Sequence, residues 1–188
     1  MESSLDIVSN NSMGFGTGID WNNTEIEKNA TMLIRLLGLL EAGTLSPAVF
    51  NNIAKKYSSK LQGSLGLWKQ YYNIQEREAD IYGTELNTAI EQNATLTARQ
   101  RIGDITTEEY DLKQAMIQWD IENNKDKAKY SKENLDKLNK LHDTLDNETR
   151  ESIKQIVTTP IEHEMESELY ATIIEAFTQL NQMINEKL

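Results

Sequence analysis

PAVFNNIAKKYSSKLQGSLGLWKQYYNIQEREADIYGTELNTAIEQNATLTARQRI, residues 47–102, decides the fold. Its apolar residues fall at Phe50, Ile53, Tyr57, Leu61, Leu65, Trp68 and Tyr72, then run on through the polar Gln75 to Ala79, Tyr82, Leu86 and Ile90. Steps of three and four put these residues on one face of an α-helix, the seam pattern of a coiled coil; a strand would instead repeat every second residue. Ser46-Pro47 supplies an N-cap followed by proline at the first helical position, where its missing N–H costs no hydrogen bond. Gly63 and Gly66 mark where such a helix would bend or break. Each glycine lowers helix stability by about 1 kcal/mol, an amount tertiary packing overrides. The spacing therefore predicts one helix over 47–102.

Gly103-Asp104-Ile105 ends the pattern, and Thr106 with Glu109 forms a capping box that opens a second helix. Its stripe of Tyr110, Ile117, Ile121, Ala128, Leu135, Leu138, His142, Leu145, Ile153 and Ile156 predicts helix over 107–157, weakest at Glu122–Lys129 and at Asp143–Asn147. Two helices of nearly equal length joined by a short turn fold back on each other, giving an antiparallel hairpin about 80 Å long. Residue 63 then faces residue 146, so both helices are weakest at the same level. Thr24 and Glu27 look like a capping box ahead of Ile26, Ala30, Leu33, Leu37 and Leu40, which predicts a first helix over 25–42 ended by Gly43. Thr159, Pro160 and Glu162 look like the start of a last helix over 160–187, lined by Met165, Leu169, Ile173, Phe177, Leu180 and Ile184.

The expected fold is thus all-α: a long antiparallel hairpin, a coiled-coil stalk tipped by Gly103, Asp104 and Ile105, with a small helical bundle at its base. Residues 1–22 are rich in Ser, Asn and Gly without helical period and read as a flexible tail; 23–188 read as one domain.

Two segments share a pattern, Glu41-Ala-Gly-Thr-Leu-Ser-Pro-Ala-Val-Phe50 and Arg101-Ile-Gly-Asp-Ile-Thr-Thr-Glu-Glu-Tyr110. Each ends a helix at Gly, places Leu or Ile two residues later, caps with Ser or Thr, and sets an aromatic four residues after the cap. A helix corner stapled by the aliphatic and the aromatic accounts for the pattern. The second copy also resembles the short helical SHOCT domain and similar corners in archaeal coiled-coil proteins of unknown function. The resemblance covers only the corner and its flanking turns. It implies an oligomerisation or interaction role and brings no catalytic residues.

Composition narrows the function classes. A net charge of −11 works against wholesale nucleic-acid binding, which needs a surplus of Lys and Arg. The absence of cysteine removes disulfides, thiolate catalysis and thiolate metal sites. No apolar run reaches the roughly 18 residues of a membrane span, and the N-terminus lacks the pattern of a signal peptide, so the cytoplasm is the expected location. No P-loop, GxGxxG, GxSxG or HExxH motif is present. The two histidines, His142 and His163, lie outside any Glu-x-x-His pair, and the neighbours in Glu162-His163-Glu164 point to different helix faces. No catalytic residue, cofactor or metal ligand is therefore assigned, and His142 reads as a structural, hydrogen-bonded histidine.

Charge is polarised along the chain. No acidic residue falls between Glu41 and Glu76, where Lys55, Lys56, Lys60 and Lys69 lie, whereas Glu162, Glu164, Glu166, Glu168, Glu175 and Glu186 crowd the C-terminal stretch. Lys55, Lys56, Lys60, Trp68, Lys69, Tyr71 and Tyr72 form the candidate interaction face, although Trp68 and Tyr72 also fit the seam. The leading expectation is a non-enzymatic scaffold or protein-interaction protein that forms homo-oligomers. The alternative is a peripheral membrane or filament-forming protein using the basic aromatic face over 47–72.

Overall fold

The computed structural model describes residues 15–159, 161 and 164–186. The fold is all-helical, with six helices among the described residues: α1 (Phe15–Glu41), α2 (Pro47–Arg101), α3 (Thr107–Asn139), α4 (Leu141–Thr144), α5 (Asn147–Thr158) and α6 (Ser167–Asn185). None of them is long and apolar enough to cross a membrane. The chain divides into two compact units, one made of the segments up to Tyr72 and from Asp136, the other of Asn73–Leu135.

Both sequence-matched corners adopt one geometry. Gly43 (φ 70°) and Gly103 (φ 75°) take the left-handed conformation that L side chains disfavour. Gly43 N–H reaches Leu40 O and Thr44 N–H reaches Leu39 O; Gly103 N–H reaches Gln100 O and Asp104 N–H reaches Arg99 O. These bonds satisfy the carbonyls that a helix end leaves open. The next helix is capped at once, Ser46 Oγ accepting from Val49 N–H and Thr106 Oγ1 from Glu109 N–H.

In the first unit α1 packs against α4 and α5, and α6 packs against the same two helices. The predicted stripe of α1, Ile26, Ala30, Leu33, Leu37 and Leu40, is buried, and so are Leu169, Ile173, Phe177, Leu180 and Ile184 of α6. Each fully buried aliphatic or aromatic side chain contributes about 1.5–3 kcal/mol, so these rows, together with buried Phe50, Leu61, Leu65 and Ile153, form the unit's core.

The start of α1 departs from expectation. The helix begins at Phe15, so 15–22 is no flexible tail; residues 1–14 lie outside the described part. Thr24 caps nothing, because its hydroxyl bonds back to Asp20 O within the helix. The extra turns are held by tertiary contacts. Ile19 is fully buried, Asn22 Nδ2 donates to Ser64 O, Asn23 Nδ2 donates to Lys137 O, and Asp20 pairs with Lys137 at 3.1 Å.

The helix expected over 107–157 is three helices. α3 stops at Asn139, and extended backbone at Leu145 and Asp146 separates α4 from α5 within the weak segment Asp143–Asn147. Asp146 Oδ1 caps α5 by accepting from Thr149 N–H at 2.6 Å. The break after α3 is sealed by side chains from other helices, with Trp68 Nε1 donating to Leu138 O at 3.1 Å beside the Asn23 bond to Lys137 O. By contrast α2 runs unbroken through Gly63 and Gly66, and α3 runs through Glu122–Lys129. The last helix starts at Ser167 rather than at 160, and Thr159 closes α5 instead of opening α6. Pro160, Glu162 and His163 lie outside the described residues.

In the second unit the buried and half-buried positions of α3 include a row, Tyr110, Gln114, Ile117, Ile121, Asn124, Ala128, Ser131 and Leu135, in alternating steps of four and three, with half-buried Asp120, Asn123 and Tyr130 and buried Asn134 beside it. The matching row of α2 is Gln75, Ala79, Tyr82, Leu86, Ala89, Asn93 and Leu96, with buried Ile74 and half-buried Glu78, Gly83, Thr97 and Arg99 beside it. The row leaves the predicted one at its end: Ala89 is buried while Ile90 is 50% exposed, and in the first unit Ala54 likewise replaces Ile53. Asn134 Nδ2 donates to Gln75 Oε1 at 3.3 Å, and Lys127 lies over the Tyr82 ring, so contacts pair the two segments in opposite sequence order.

Candidate interaction surface

The sequence-predicted face separates into two kinds of residue. Lys55, Lys56, Lys60 and Lys69 are exposed, as a surface role requires. Trp68 and Tyr71 are core instead, 3% and 7% exposed. Trp68 is fixed by its bond to Leu138 O and by stacking on Tyr72, with ring centroids 5.3 Å apart. The Tyr71 hydroxyl abuts Gly18 so closely that a Cβ there would meet it at 2.6 Å, and burial pushes its pKa up. Trp68 and Tyr71 are therefore corrected to a packing role, because large apolar rings gain more from burial between helices than from solvent, while Tyr72 is half-buried.

The lysines have partners close by. Lys55 Nζ meets Glu166 Oε2 at 2.8 Å, while Lys56 and Lys60 lie over the Tyr57 ring. Here the charge polarisation of the sequence is met inside one unit, basic α2 against the acidic entry to α6. An exposed pair of this kind contributes about 0–1 kcal/mol. At the predicted tip Gly103 makes the turn, Asp104 Oδ2 pairs with Arg99 Nε at 3.0 Å, and Ile105 is half-buried beside Ile102, which is 77% exposed. His142 is half-buried, its ring against the Arg150 guanidinium, which also donates to His142 O at 3.0 Å and to Asn147. Among the described residues no group of His, Cys, Asp and Glu is placed to hold a metal ion.

The surface that sequence reading missed lies in the second unit. Leu112, Met116 and Trp119 are 65%, 61% and 68% exposed, and their spacing puts them in one row on α3. Met116 is also a wall of a groove of about 500 Å3 between α2 and α3, whose rim carries Glu91 and Asp120 toward one end and Arg99 and Lys113 toward the other. Further along, Lys127 over Tyr82 also faces Glu78, whose carboxyl burial raises above its ordinary value despite the pull of Arg77 and Lys127.

Beneath this surface the core is thin. Ile74, Ala89, Leu96 and Ala128 are the buried hydrophobic residues of the unit, and the rest of the seam is largely polar or half-buried. Gln75 Nε2, Asn93 Oδ1, Gln114 Oε1, Tyr130 Oη and Ser131 Oγ are buried without a hydrogen-bond partner. Such atoms each cost about 1–3 kcal/mol. The unit thus hides polar groups and shows apolar ones, the reverse of a self-sufficient domain. The row was legible in principle, since Leu112, Met116 and Trp119 repeat at helical spacing on a face other than the Ile117–Ile121 stripe. Comparison with known protein families, curated proteins and solved structures finds no match to this chain.

Proposed function

We propose that this protein is a non-enzymatic helical scaffold that associates with itself, with residues 73–135 acting as a long antiparallel coiled-coil hairpin. One observation carries the reading: Leu112, Met116 and Trp119 stand exposed in a row on a unit whose own buried apolar set is Ile74, Ala89, Leu96 and Ala128. A contiguous exposed apolar row on a two-helix unit marks an interaction site, because covering it removes the apolar area from water that the unit itself cannot cover. The alternating steps of the buried rows and the opposite order of the Gln75–Asn134 and Tyr82–Lys127 contacts support the hairpin. The likeness of the Gly103 corner to SHOCT-type corners agrees with an oligomerising role.

Sedimentation velocity over a concentration series tests the proposal. It expects a defined oligomer at micromolar concentration, and a monomer throughout the series would overturn it. The competing outcome is a peripheral membrane role resting on exposed Lys56, Lys60 and Lys69 alone, since Trp68 and Tyr71 are buried. Co-sedimentation with anionic liposomes at low salt reads that outcome, and the scaffold proposal expects none.

A further inference from the structure

We infer that two copies meet on the groove face of the second unit, around a two-fold axis crossing that face at the level of Thr95 and Met116. The inference rests on the self-association proposed above and adds its surface and its orientation. The order of charges along the groove carries it. The register given by the Gln75–Asn134 and Tyr82–Lys127 contacts brings Glu91 and Asp120 within a turn of one level, and Arg99 and Lys113 within a turn of another, about two turns nearer Gly103. An acidic level and a basic level therefore flank Thr95 and Met116 on one face. A second copy turned end for end lays each acidic level on a basic one, whereas a parallel copy in register lays like charge on like. Among the described residues Glu91, Lys113 and Asp120 have no ion-pair partner of their own, and Arg99 has the exposed pair with Asp104.

The apolar row obeys the same axis. Leu112 and Trp119 lie on either side of Met116, so the two-fold that pairs Lys113 with the partner's Asp120 also sets Leu112 on the partner's Trp119 and Met116 on Met116. An isologous contact requires this: each patch must be its own complement. Of the row only Met116 lines the groove; Leu112 and Trp119 flank it on the outer side of α3, so that charges would set orientation and the apolar row would add buried area at one edge of the interface.

Charge swapping in the full-length chain tests the geometry. Arg99→Glu with Lys113→Glu makes both levels acidic, and Glu91→Lys with Asp120→Lys makes both basic. Each double variant alone should dimerise with a dissociation constant raised by about tenfold or more, and an equimolar mixture should regain the wild-type constant. Wild-type-like dimers from either variant alone, or a mixture no tighter than its parts, would overturn the inference while leaving self-association standing. A wild type that stays monomeric would overturn both. A second measurement is independent of the charges. The chain has no cysteine, so Met116→Cys provides a single thiol on the proposed axis. Mild oxidation should join Met116→Cys chains into disulfide-linked pairs and leave Lys125→Cys chains, whose thiol lies off this face, unlinked; equal linkage of the two, or none at Met116→Cys, overturns the inference.

Discussion

Trp68 shows how a single polar handle closes a helix break. Its indole N–H reaches Leu138 O at the point where α3 stops, so the ring serves both as core and as cap for a carbonyl that the helix no longer satisfies. Trp68→Phe keeps most of the packing and removes the donor. It is expected to lower unfolding free energy by about 1–3 kcal/mol in urea titration, and Asn23→Ala by less, because Lys137 O keeps a second donor in Lys140 N–H at 3.3 Å. An unchanged midpoint for both variants would mean that the carbonyls find other partners. None of this was readable beforehand, because Asn22, Asn23 and Trp68 bond to carbonyls far away in sequence, whereas the caps at Ser46 and Thr106 bond within the same turn. Asp146 belongs to the local kind. Its hydrogen bonds with Thr149 hold its pKa below the ordinary 3.8, with Arg150 adding to the effect. A depressed carboxyl contributes stability above its unfolded value and loses it as pH falls through the folded one. The stability gap between wild type and Asp146→Ala should therefore be constant at neutral pH and shrink below about pH 4, as read by denaturant midpoints across a pH series; a gap that persists into acid would remove the carboxylate from the account.

At the scale of elements, the seam of the second unit is decided by size as much as by polarity. Where the predicted row took Ile90 and the structure takes Ala89, the helix keeps a strict alternation of three and four, and the bulkier side chain is left at the surface. Periodicity located the helices and both glycine corners because these depend on local geometry. It misjudged the row because polar Asn93, Gln114 and Asn124 occupy seam positions, and a polar residue at the seam is invisible to a search for apolar spacing. The candidate site was missed for a related reason: a large aromatic such as Trp68 in an acid-free stretch looks like a binding face until its partner helix is known. Buried amides of this kind hold register at a cost in stability. Asn134→Leu alone strips Gln75 Oε1 of its donor in a fully buried place and is expected to lower stability by about 1–3 kcal/mol. Gln75→Leu combined with Asn134→Leu replaces the pair by apolar contact and should recover that loss or exceed it. Thermal unfolding of the two variants decides, and a double variant less stable than the single one would assign the amides a strength they are not expected to have.

For the molecule as a whole, the two units differ in what holds them. The first unit buries Leu33, Phe50, Leu61, Leu65, Ile173 and Phe177 among many others, while the second has the short set ending at Ala128 and a seam with unpaired polar atoms. Stability distributed in this way predicts separate opening. Backbone amides in the interiors of α1 and α6 should exchange with solvent only on rare large openings, and those of 73–135 by frequent local ones. The proposed self-association would then enter as mass action on the weaker unit alone. A partner that binds only the closed hairpin adds about 2.7 kcal/mol at a hundredfold excess over the dissociation constant, so protection over 88–120 should rise steeply with protein concentration. Protection of buried amides in α1 should not follow, since nothing in the proposed interface touches them. Hydrogen exchange read by mass spectrometry at two concentrations separates the cases: a rise confined to 88–120 fits a hairpin completed by its copy. A rise spread evenly over both units would locate the association elsewhere, and no rise in a dimer would mean that the hairpin is closed before its partner arrives.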